Sequence, residues 1–349
     1  MEKKRELELF TDNFRNFPGT RYMGSKNKIL FAIWEHLGKL DFSSFLDAFA
    51  GSNVVSYFMK SQNKQVFSND FLSFSYLTSK AIVENSSVKL SDQEILFLLN
   101  EKQNDNFIQK TFKDIFYSEE DNKFLDIVRT NIAELDGEYK QALAFSALVR
   151  ACLKKRSRGI FTFVGERYND GRVDMQKSMR DHFLESVKLY NNAVFDNHQE
   201  NKAFNLHSEK LEIAADLVYL DPPYFSPKSD NDYVRRYHFI EGLVKNWDKL
   251  TIQNHTAVKK FQSYDSPFSK KESAVLALEN LISKFRKSIL VISYSSNSLP
   301  NKEQIVGMLQ KFKSYVEVHE IKHTYSMGNQ NHKIGNANNR IQEYLFIGK

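Results

Sequence analysis

The stretch 44–70 limits the fold strongly, because it joins two apolar runs through a glycine turn and a helix. Residues 44–50, Ser-Phe-Leu-Asp-Ala-Phe-Ala, form a short apolar strand that stops at Gly51. A helix is predicted over 53–60, and a second strand follows and closes at Asp70. A strand, a glycine turn, a helix and another strand form the first half of a doubly wound, mostly parallel α/β sheet.

The remaining pattern divides the chain into a sheet-forming part and a helical part. Residues 27–40 repeat apolar positions at helical spacing, and helical patterns at 90–99 and 139–153 dominate a region with few strand signals. Further strands are predicted at 217–220, 288–294, 314–322 and 341–347, the last two flanking an Asn-rich loop at 328–339. We therefore predict a catalytic domain formed by residues 1–80 and 201–349, interrupted by a largely helical insertion over 81–200.

Composition excludes several classes of protein. Cys152 is the single cysteine, which excludes an internal disulfide and a thiolate metal cluster. The sequence contains no stretch long and apolar enough to span a membrane and no leader peptide, so a cytoplasmic protein without a membrane partner is expected. The net charge of +6 mildly favours an anionic partner.

Two residues near the first strands are candidates for ligand binding. A glycine after a strand, such as Gly51, lets backbone N–H groups approach a ligand, although most such glycines only make turns. Asn53 stands where a second glycine is expected, and Asn tolerates a left-handed backbone best among the other residues. Asp70 is suited either to accept ribose hydroxyls or to cap the following helix, and its proximity to the glycine turn favours the ligand.

Asp221-Pro222-Pro223-Tyr224 is the most specific motif, because it follows the apolar strand 217–220. Ligands bind at the carboxyl ends of strands in open α/β sheets. An exocyclic amine on a base is a poor nucleophile. Two acceptors that accept hydrogen bonds from its N–H groups favour the geometry in which the nitrogen lone pair is free. Asp221 offers a carboxylate, Pro222 offers a carbonyl fixed by the locked proline backbone, and Tyr224 offers a ring on which a flipped base can stack.

Basic residues in two places are candidates for phosphate contacts, with solvated surface as the plainer alternative. One group lies in the insertion and comprises Lys154, Lys155, Arg156 and Arg158. The other follows the catalytic motif, where a loop with Tyr233, Tyr237 and His238 also carries Lys228, Arg235 and Arg236. Asn and Gln at 329–331 are candidates for contacts with base edges, although a mobile hairpin tip is the more economical interpretation.

Three motifs in this order resemble those of the S-adenosylmethionine-dependent N6-adenine DNA methyltransferases of the D12, or Dam-like, class. Residues 21–26, Arg-Tyr-Met-Gly-Ser-Lys, resemble the amino-terminal cofactor segment of that class. Residues 47–53 resemble its Phe-x-Gly-x-Gly loop, Asn69-Asp70 its ribose-binding acid, and 221–224 its unchanged catalytic tetrapeptide. A long insertion between the cofactor loop and the tetrapeptide is the order of the α group.

The resemblance implies a Rossmann-like methyltransferase fold, S-adenosylmethionine as cofactor and double-stranded DNA as partner. It implies a cofactor site made of Tyr22, Lys26, Asp47, Phe49, Gly51, Asp70 and Asp221. It also implies that Asp221, Pro222 and Tyr224 are catalytic, that no metal is needed, and that the insertion recognises the target. The class usually places an acid before the catalytic strand to hold the cofactor adenine. Here Ser208 and Glu209 both occupy that region, and the choice between them stays open.

The resemblance also implies a role in restriction–modification or epigenetic marking, in the bacterial cytosol or nucleoid. A cognate restriction endonuclease is a candidate partner. The expected active form is a monomer or a weak dimer. Two alternatives remain at this level. One is a methyltransferase acting on RNA adenine or on cytosine N4, because the tetrapeptide suits any exocyclic amine. The other is a catalytically silent DNA-binding protein, which the intact Asp221–Tyr224 motif disfavours.

Overall fold

The architecture is organised by a mixed sheet in the computed structural model, which describes residues 11–165, 171–224, 232–296, 298–324 and 340–349. Within these ranges the sheet has seven strands in the order β3-β2-β1-β4-β5-β7-β6. The strands are β1 (Ser44–Asp47), β2 (Gln65–Asn69), β3 (Lys202–Phe204), β4 (Leu217–Leu220), β5 (Ile289–Ser295), β6 (Val316–Thr324) and β7 (Arg340–Gly348). The predicted doubly wound, mostly parallel α/β fold is confirmed.

The order of the strands reverses at β1, which pairs in parallel with both β2 and β4. Parallel pairing continues from β2 to β3 and from β4 to β5, whereas β7 lies antiparallel between β5 and β6. Phe45 of β1 lies opposite Val66 on one side and Leu217 on the other. The carboxyl ends of β1 and β4 therefore meet at the point where such sheets form a ligand crevice.

The central strands are mostly apolar, and β4 is apolar throughout, because helices cover both faces of the sheet. All four residues of β4 are buried. Leu217 and Tyr219 belong to a larger core on one face, and Val218 and Leu220 belong to a smaller core on the other. The alternation of strand side chains thus divides one apolar run between two hydrophobic cores.

The α-helices lie unevenly on the two faces. They are α1 (Asp12–Arg15), α2 (Leu30–Leu37), α3 (Val54–Ser61), α4 (Ser73–Ser79), α5 (Asp92–Leu98), α6 (Phe107–Thr111), α7 (Glu119–Ile132), α8 (Glu138–Lys154), α9 (Val173–Gln176), α10 (Met179–Ala193), α11 (Tyr233–Val244), α12 (Lys271–Lys284) and α13 (Lys302–Gln310). Helices α12 and α13 cover the smaller core. Helices between β2 and β3, such as α8 and α10, contribute to the larger core together with β1. The helical region thus packs continuously with the sheet layer.

Most predicted elements are present, with shifts of a few residues at their ends. The helix predicted over 27–40 is a 3₁₀ turn at Lys26–Lys28 followed by α2. Strand β3 was not predicted, because three residues are too few to show an alternating pattern. It is specified by parallel pairing with β2, so only the tertiary structure reveals it. Across the described ranges, the helices are too short or too polar to cross a lipid bilayer.

Candidate active site

The turn after β1 depends on the glycine at its centre. Gly51 has φ +50°, a left-handed conformation that side chains rarely adopt. A Cβ at this position would lie 3.1 Å from the Tyr22 ring. The Gly51 N–H donates to Asp70 Oδ2 at 2.8 Å, so the turn is tied to the end of the neighbouring strand. The absence of a side chain leaves room for Tyr22 to pack directly over the turn.

Asn53 replaces the second glycine without disturbing this turn. Its φ of 63° and ψ of 10° are left-handed, as the sequence predicted. Its side chain is buried, and the amide donates to the carbonyl of Ser75 at 2.9 Å. Its oxygen accepts hydrogen bonds from the hydroxyls of Ser68 and Ser79. These contacts join the start of α3 to β2 and α4, and they offset the cost of a left-handed backbone.

The glycine turn supports a first prediction. Gly51→Ala is expected to weaken binding of the cofactor at least about tenfold, because left-handed alanine costs about 1 kcal/mol and its Cβ must displace Tyr22. Isothermal titration with a cofactor analogue measures the effect. Gly137→Ala is the matched control, because Gly137 also has positive φ but nothing lies within 4 Å of its added Cβ. Equal cofactor affinity in Gly51→Ala and the wild type would contradict the close-packing argument.

Two buried acids end β1 and follow β2. Asp47 accepts hydrogen bonds from the Ser56 hydroxyl at 2.7 Å and from the backbone N–H of Phe49. Asp70 accepts from Gly51 N–H through one oxygen and from Leu72 N–H at 2.8 Å through the other. Burial raises the pKa of both carboxyls to about 7, and these hydrogen bonds oppose the shift. Both acids are therefore positioned and desolvated before any ligand binds.

Aromatic rings form the wall opposite the glycine turn. Tyr22 stacks on Tyr237 with 5.1 Å between ring centroids, and on Tyr233 with 6.0 Å. The Tyr237 hydroxyl accepts a hydrogen bond from the backbone N–H of Met23 at 2.8 Å. The amino-terminal segment is thus fixed against α11, which begins directly after the segment that follows the catalytic motif.

Asp221 directly follows β4 and contacts Lys26, from a distant part of the sequence, and Tyr224, from its own motif. Lys26 Nζ donates to Asp221 Oδ1 and to the Tyr224 hydroxyl, each at 2.8 Å. The Tyr224 hydroxyl lies 2.7 Å from Asp221 Oδ1 and 2.8 Å from Glu343 Oε1. Burial raises the pKa of Asp221, the Lys26 ammonium lowers it, and the charge of Glu343 raises it further.

One cavity contains every residue predicted to bind cofactor or to catalyse. Its lining includes Tyr22, Lys26, Asp47, Phe49, Gly51, Asp70, Asp221, Pro222 and Tyr224. A second cavity shares Phe49, Phe71 and Pro223 with the first and is also lined by His207, Ser208 and Glu209. Ser208 is buried and Glu209 is exposed. The carboxyl ends of β1, β2 and β4 therefore open onto two adjoining cavities.

Glu343 on β7 belongs to this site but was missed by the sequence reasoning. It is fully buried, its Oε1 accepts from the Ser293 hydroxyl at 2.7 Å, and it forms an ion pair with Lys26 at 3.3 Å. A signal was present in the sequence. Glu343 falls between Ile341 and Leu345 at a position where strand alternation expects an apolar residue. A charge at such a position is rare unless it is paired.

The basic residues predicted to contact phosphate occupy different environments. Arg156 is only 1% exposed, and its guanidinium donates to the carbonyls of Ile160, Phe163 and Gly165. This placement argues against a phosphate contact for Arg156, because its donors face backbone oxygens inside the fold. Lys154 and Lys155 are partly exposed and form ion pairs with Asp174 and Asp121, each at 2.8 Å. Arg158 is exposed.

The basic segment after the catalytic motif is partly helical, which corrects the predicted loop. From Tyr233 onward these residues form α11, where Arg235 is exposed and Arg236 NH1 contacts Met23 Sδ at 3.0 Å. Tyr237 and His238 are buried, and burial lowers the pKa of His238 to about 4, so its ring is uncharged at neutral pH. Lys228 and the Asn-rich loop at 328–339 lie outside the described residues.

The sheet order and the tetrapeptide that follows β4 agree with a methyltransferase acting on an exocyclic amino nitrogen. The chain belongs to the D12 class of N6 adenine-specific DNA methyltransferases, because a sequence model of that family matches residues 22–308. The resemblance noted from the three motifs is confirmed. The alternatives of an RNA or cytosine methyltransferase and of a silent DNA-binding protein are correspondingly disfavoured.

Relatives with assigned functions agree with this membership. The chain is 31% identical over 351 residues to the type II methyltransferase M2.HphI of Haemophilus parahaemolyticus, covering 96% of this chain and 98% of that protein. It is 29% identical over 319 residues to the modification methylase StsI of Streptococcus sanguinis, covering 84% of this chain. It is 26% identical over 358 residues to the type II methyltransferase M.FokI of Planomicrobium okeanokoites, covering 93% of this chain. The chain spans 46% of StsI and 52% of M.FokI.

Proposed function

We propose that this DNA adenine methyltransferase takes its methyl group from S-adenosylmethionine and transfers it directly to N6 of an adenine flipped out of double-stranded DNA. The observation that carries the proposal is the shared cavity. The glycine turn after β1, the acid after β2 and the tetrapeptide after β4 all line it, together with Lys26. These groups are far apart in the sequence, and each has a separate task in such a transfer.

The residues present suit the proposed cofactor. Gly51 leaves a space that a Cβ would fill, and Asp70 beside it has a carboxylate suited to ribose hydroxyls. The adjoining cavity, with Phe49 and Phe71 in its wall, suits an adenine ring, and either Ser208 or Glu209 is available for the amino group of that ring. Tyr22 and Asp47 complete the lining near the glycine turn.

The chemistry divides between the cofactor and the protein. S-adenosylmethionine, when bound, supplies a methyl carbon on a sulfonium; the N6 lone pair forms the new C–N bond while the C–S electron pair leaves with sulfur. Asp221 and the carbonyl of Pro222 accept hydrogen bonds from the two N–H groups and hold the amine with its lone pair free. The methylated amine is briefly cationic and loses a proton to solvent or to Asp221. Positioning and electrostatics supply most of the acceleration.

Tyr224 supports a second prediction. Its ring centroid lies 4.7 Å from that of Tyr294, and its hydroxyl contacts Asp221 and Glu343, so the ring is held in the lining of the cavity. Tyr224→Ala is expected to lower kcat/KM for DNA, with a loss of transition-state stabilisation of about 1–3 kcal/mol, because a flipped base loses its stacking surface. Steady-state kinetics on duplex DNA measure the effect. Tyr224→Phe is the control that keeps the ring, and an equal loss in both variants would assign the effect to the hydroxyl instead.

We assign DNA contacts to basic residues at the end of α8, after it, and on α11. Arg158 and Arg235 are exposed, and Lys154, Lys155 and Arg236 are partly exposed near them in sequence. The insertion over 81–200 is proposed to recognise the target, because it carries the basic run at the end of α8. Arg21 links that run to the cofactor segment by donating to the carbonyls of Lys154 and Arg156. A monomer is proposed to be sufficient for catalysis, because the predicted cofactor and catalytic residues of one chain line one cavity.

The names of the relatives support a restriction–modification setting. M2.HphI and M.FokI are named type II methyltransferases, and StsI is named a modification methylase. A cognate restriction endonuclease is therefore a candidate partner. The proposed location is the cytosol or nucleoid, where double-stranded DNA is the substrate.

The decisive experiment is transfer of labelled methyl from S-adenosylmethionine to mixed-sequence duplex DNA, followed by nucleoside analysis. We expect N6-methyladenine as the labelled product. Parallel reactions with RNA and with DNA lacking adenine test the acceptor. Label in RNA or in N4-methylcytosine would overturn the proposed acceptor, and cofactor binding without transfer to any nucleic acid would overturn the proposed reaction.

A further inference from the structure

Glu343 is a fully buried carboxylate at the active centre. Among the described residues, its Oε1 is approached by the Ser293 hydroxyl at 2.7 Å, the Tyr224 hydroxyl at 2.8 Å and the Lys26 ammonium at 3.3 Å. Leu345 and Ile347, which share its face of β7, pack into the larger hydrophobic core. An acid at this position is therefore not required by the packing of the strand.

A buried acid in a sheet costs free energy unless it is paired, and an apolar side chain of similar size often serves the fold as well. Here the pair is Lys26, whose side chain is 3% exposed and lies between Glu343 and Asp221. Within the described residues, this one ammonium therefore contacts two buried acids. A second acid beside the Lys26–Asp221 pair can change how Lys26 is oriented as well as how its charge is balanced.

The hydrogen bonds around Tyr224 show what Glu343 changes. A tyrosine hydroxyl has one proton, and that proton can go to Asp221 Oδ1 at 2.7 Å or to Glu343 Oε1 at 2.8 Å. Lys26 Nζ already donates to the same Asp221 oxygen at 2.8 Å. Both donors thus already meet at Asp221 Oδ1, and without Glu343 they would have only Asp221 to share and would compete more strongly with the adenine amine for its carboxylate. With Glu343 present, the Tyr224 hydroxyl and the Lys26 ammonium have a second acceptor, which is Glu343 Oε1.

We propose that Glu343 is a positioning residue for methyl transfer: it shares the Lys26 ammonium and the Tyr224 hydroxyl with Asp221, so that the Asp221 carboxylate keeps acceptor capacity for the adenine amine. This inference rests on the proposed function of the same cavity. The Glu343 carboxylate is also buried at this site, where its negative charge favours the amine as it becomes cationic. Removing that charge should therefore slow the transfer more than it weakens binding.

The test is Glu343→Gln, which keeps the shape of the side chain and removes its charge. We expect kcat and the single-turnover rate constant for methyl transfer to fall about 10²-fold. KM for DNA and the calorimetric Kd for S-adenosylmethionine should change less than about threefold. Glu320→Gln is the matched control, because Glu320 is an exposed acid on the neighbouring strand β6 whose ion pair is with Lys302. Its kinetics should equal those of the wild type.

A second variant keeps the inference testable if Glu343→Gln does not fold. Ser293→Ala retains the Glu343 carboxylate and removes one of its donors, and it is expected to lower kcat about threefold to tenfold. In a double-mutant cycle, the effects of Glu343→Gln and Lys26→Met on the activation free energy derived from kcat should be less than additive, because both substitutions disturb the same cluster of charges.

The outcomes separate this inference from the proposed function. An inactive wild-type protein would overturn the proposed function itself. With an active wild type, a Glu343→Gln kcat within threefold of normal would overturn the role of Glu343 alone. A parallel loss of cofactor affinity, DNA affinity and thermal stability would also overturn it, because that pattern belongs to a residue that only supports the fold.

Discussion

Asp221→Asn should lower the single-turnover rate of adenine methylation at least about 10³-fold while leaving cofactor affinity within a few-fold of normal. Asparagine fills the same volume at the end of β4, but its amide N–H₂ faces the amine where an acceptor is needed. The Lys26 ammonium, which donates to Asp221 at 2.8 Å, would then keep Glu343 as its acidic partner within this cluster. The fold should therefore survive while the chemistry fails.

The measurement for Asp221→Asn is rapid quenching of a single turnover on duplex DNA, with circular dichroism and thermal unfolding as checks of the fold. Asp248→Asn is the control, because it makes the same chemical change at an exposed position outside the cavity lining. Activity of Asp221→Asn at a tenth of the wild-type rate would show that another group accepts the amine protons.

Arg156→Ala should lower the free energy of unfolding by about 3 kcal/mol, because it removes a buried cation that donates to three backbone carbonyls. The guanidinium also lies over the rings of Phe116 and Phe163, at 5.1 and 4.1 Å from their centroids. The variant would leave a cavity among these rings and carbonyl oxygens without donors. Urea denaturation followed by fluorescence or circular dichroism measures the loss.

Arg158→Ala is the matched comparison within the same basic run. Arg158 is exposed, so this substitution should change the free energy of unfolding by less than about 0.5 kcal/mol. It should instead weaken DNA binding and reduce the slope of log affinity against log salt by about 1, as expected for a lost phosphate contact. Reversal of the two effects, with Arg156→Ala stable and Arg158→Ala unfolded, would contradict both assignments.

The strand-end chemistry was largely predictable from local sequence. The run 44–50, Gly51 and Asp70 predicted a strand, a turn and an acid, and β1, the left-handed glycine and the buried carboxylate are present. Apolar runs of this length bury both faces, so they identify the central strands without any knowledge of their partners. Asp221 follows β4 directly, so its location at the crevice also followed from the sequence.

Other features depended on contacts between residues far apart in the chain. Lys26 meets Asp221 across 195 positions, and Glu343 meets Tyr224 across 119, so local patterns carry no direct sign of either contact. The basic run at 154–158 looked uniform, but the loop that follows it closes over Arg156 and leaves Arg158 in solvent. Strand β3 forms because the edge of β2 is available for parallel pairing.

The sequence by itself determined the fold class, the order of the motifs and the chemical character of each strand end, because these follow from short-range periodicity and from residue types with few alternative uses. The tertiary structure alone decided which charges are buried together. A buried charge is stable only beside its partner, and for Lys26 those partners are Asp221 and Glu343, which β4 and β7 bring to the same point of the sheet.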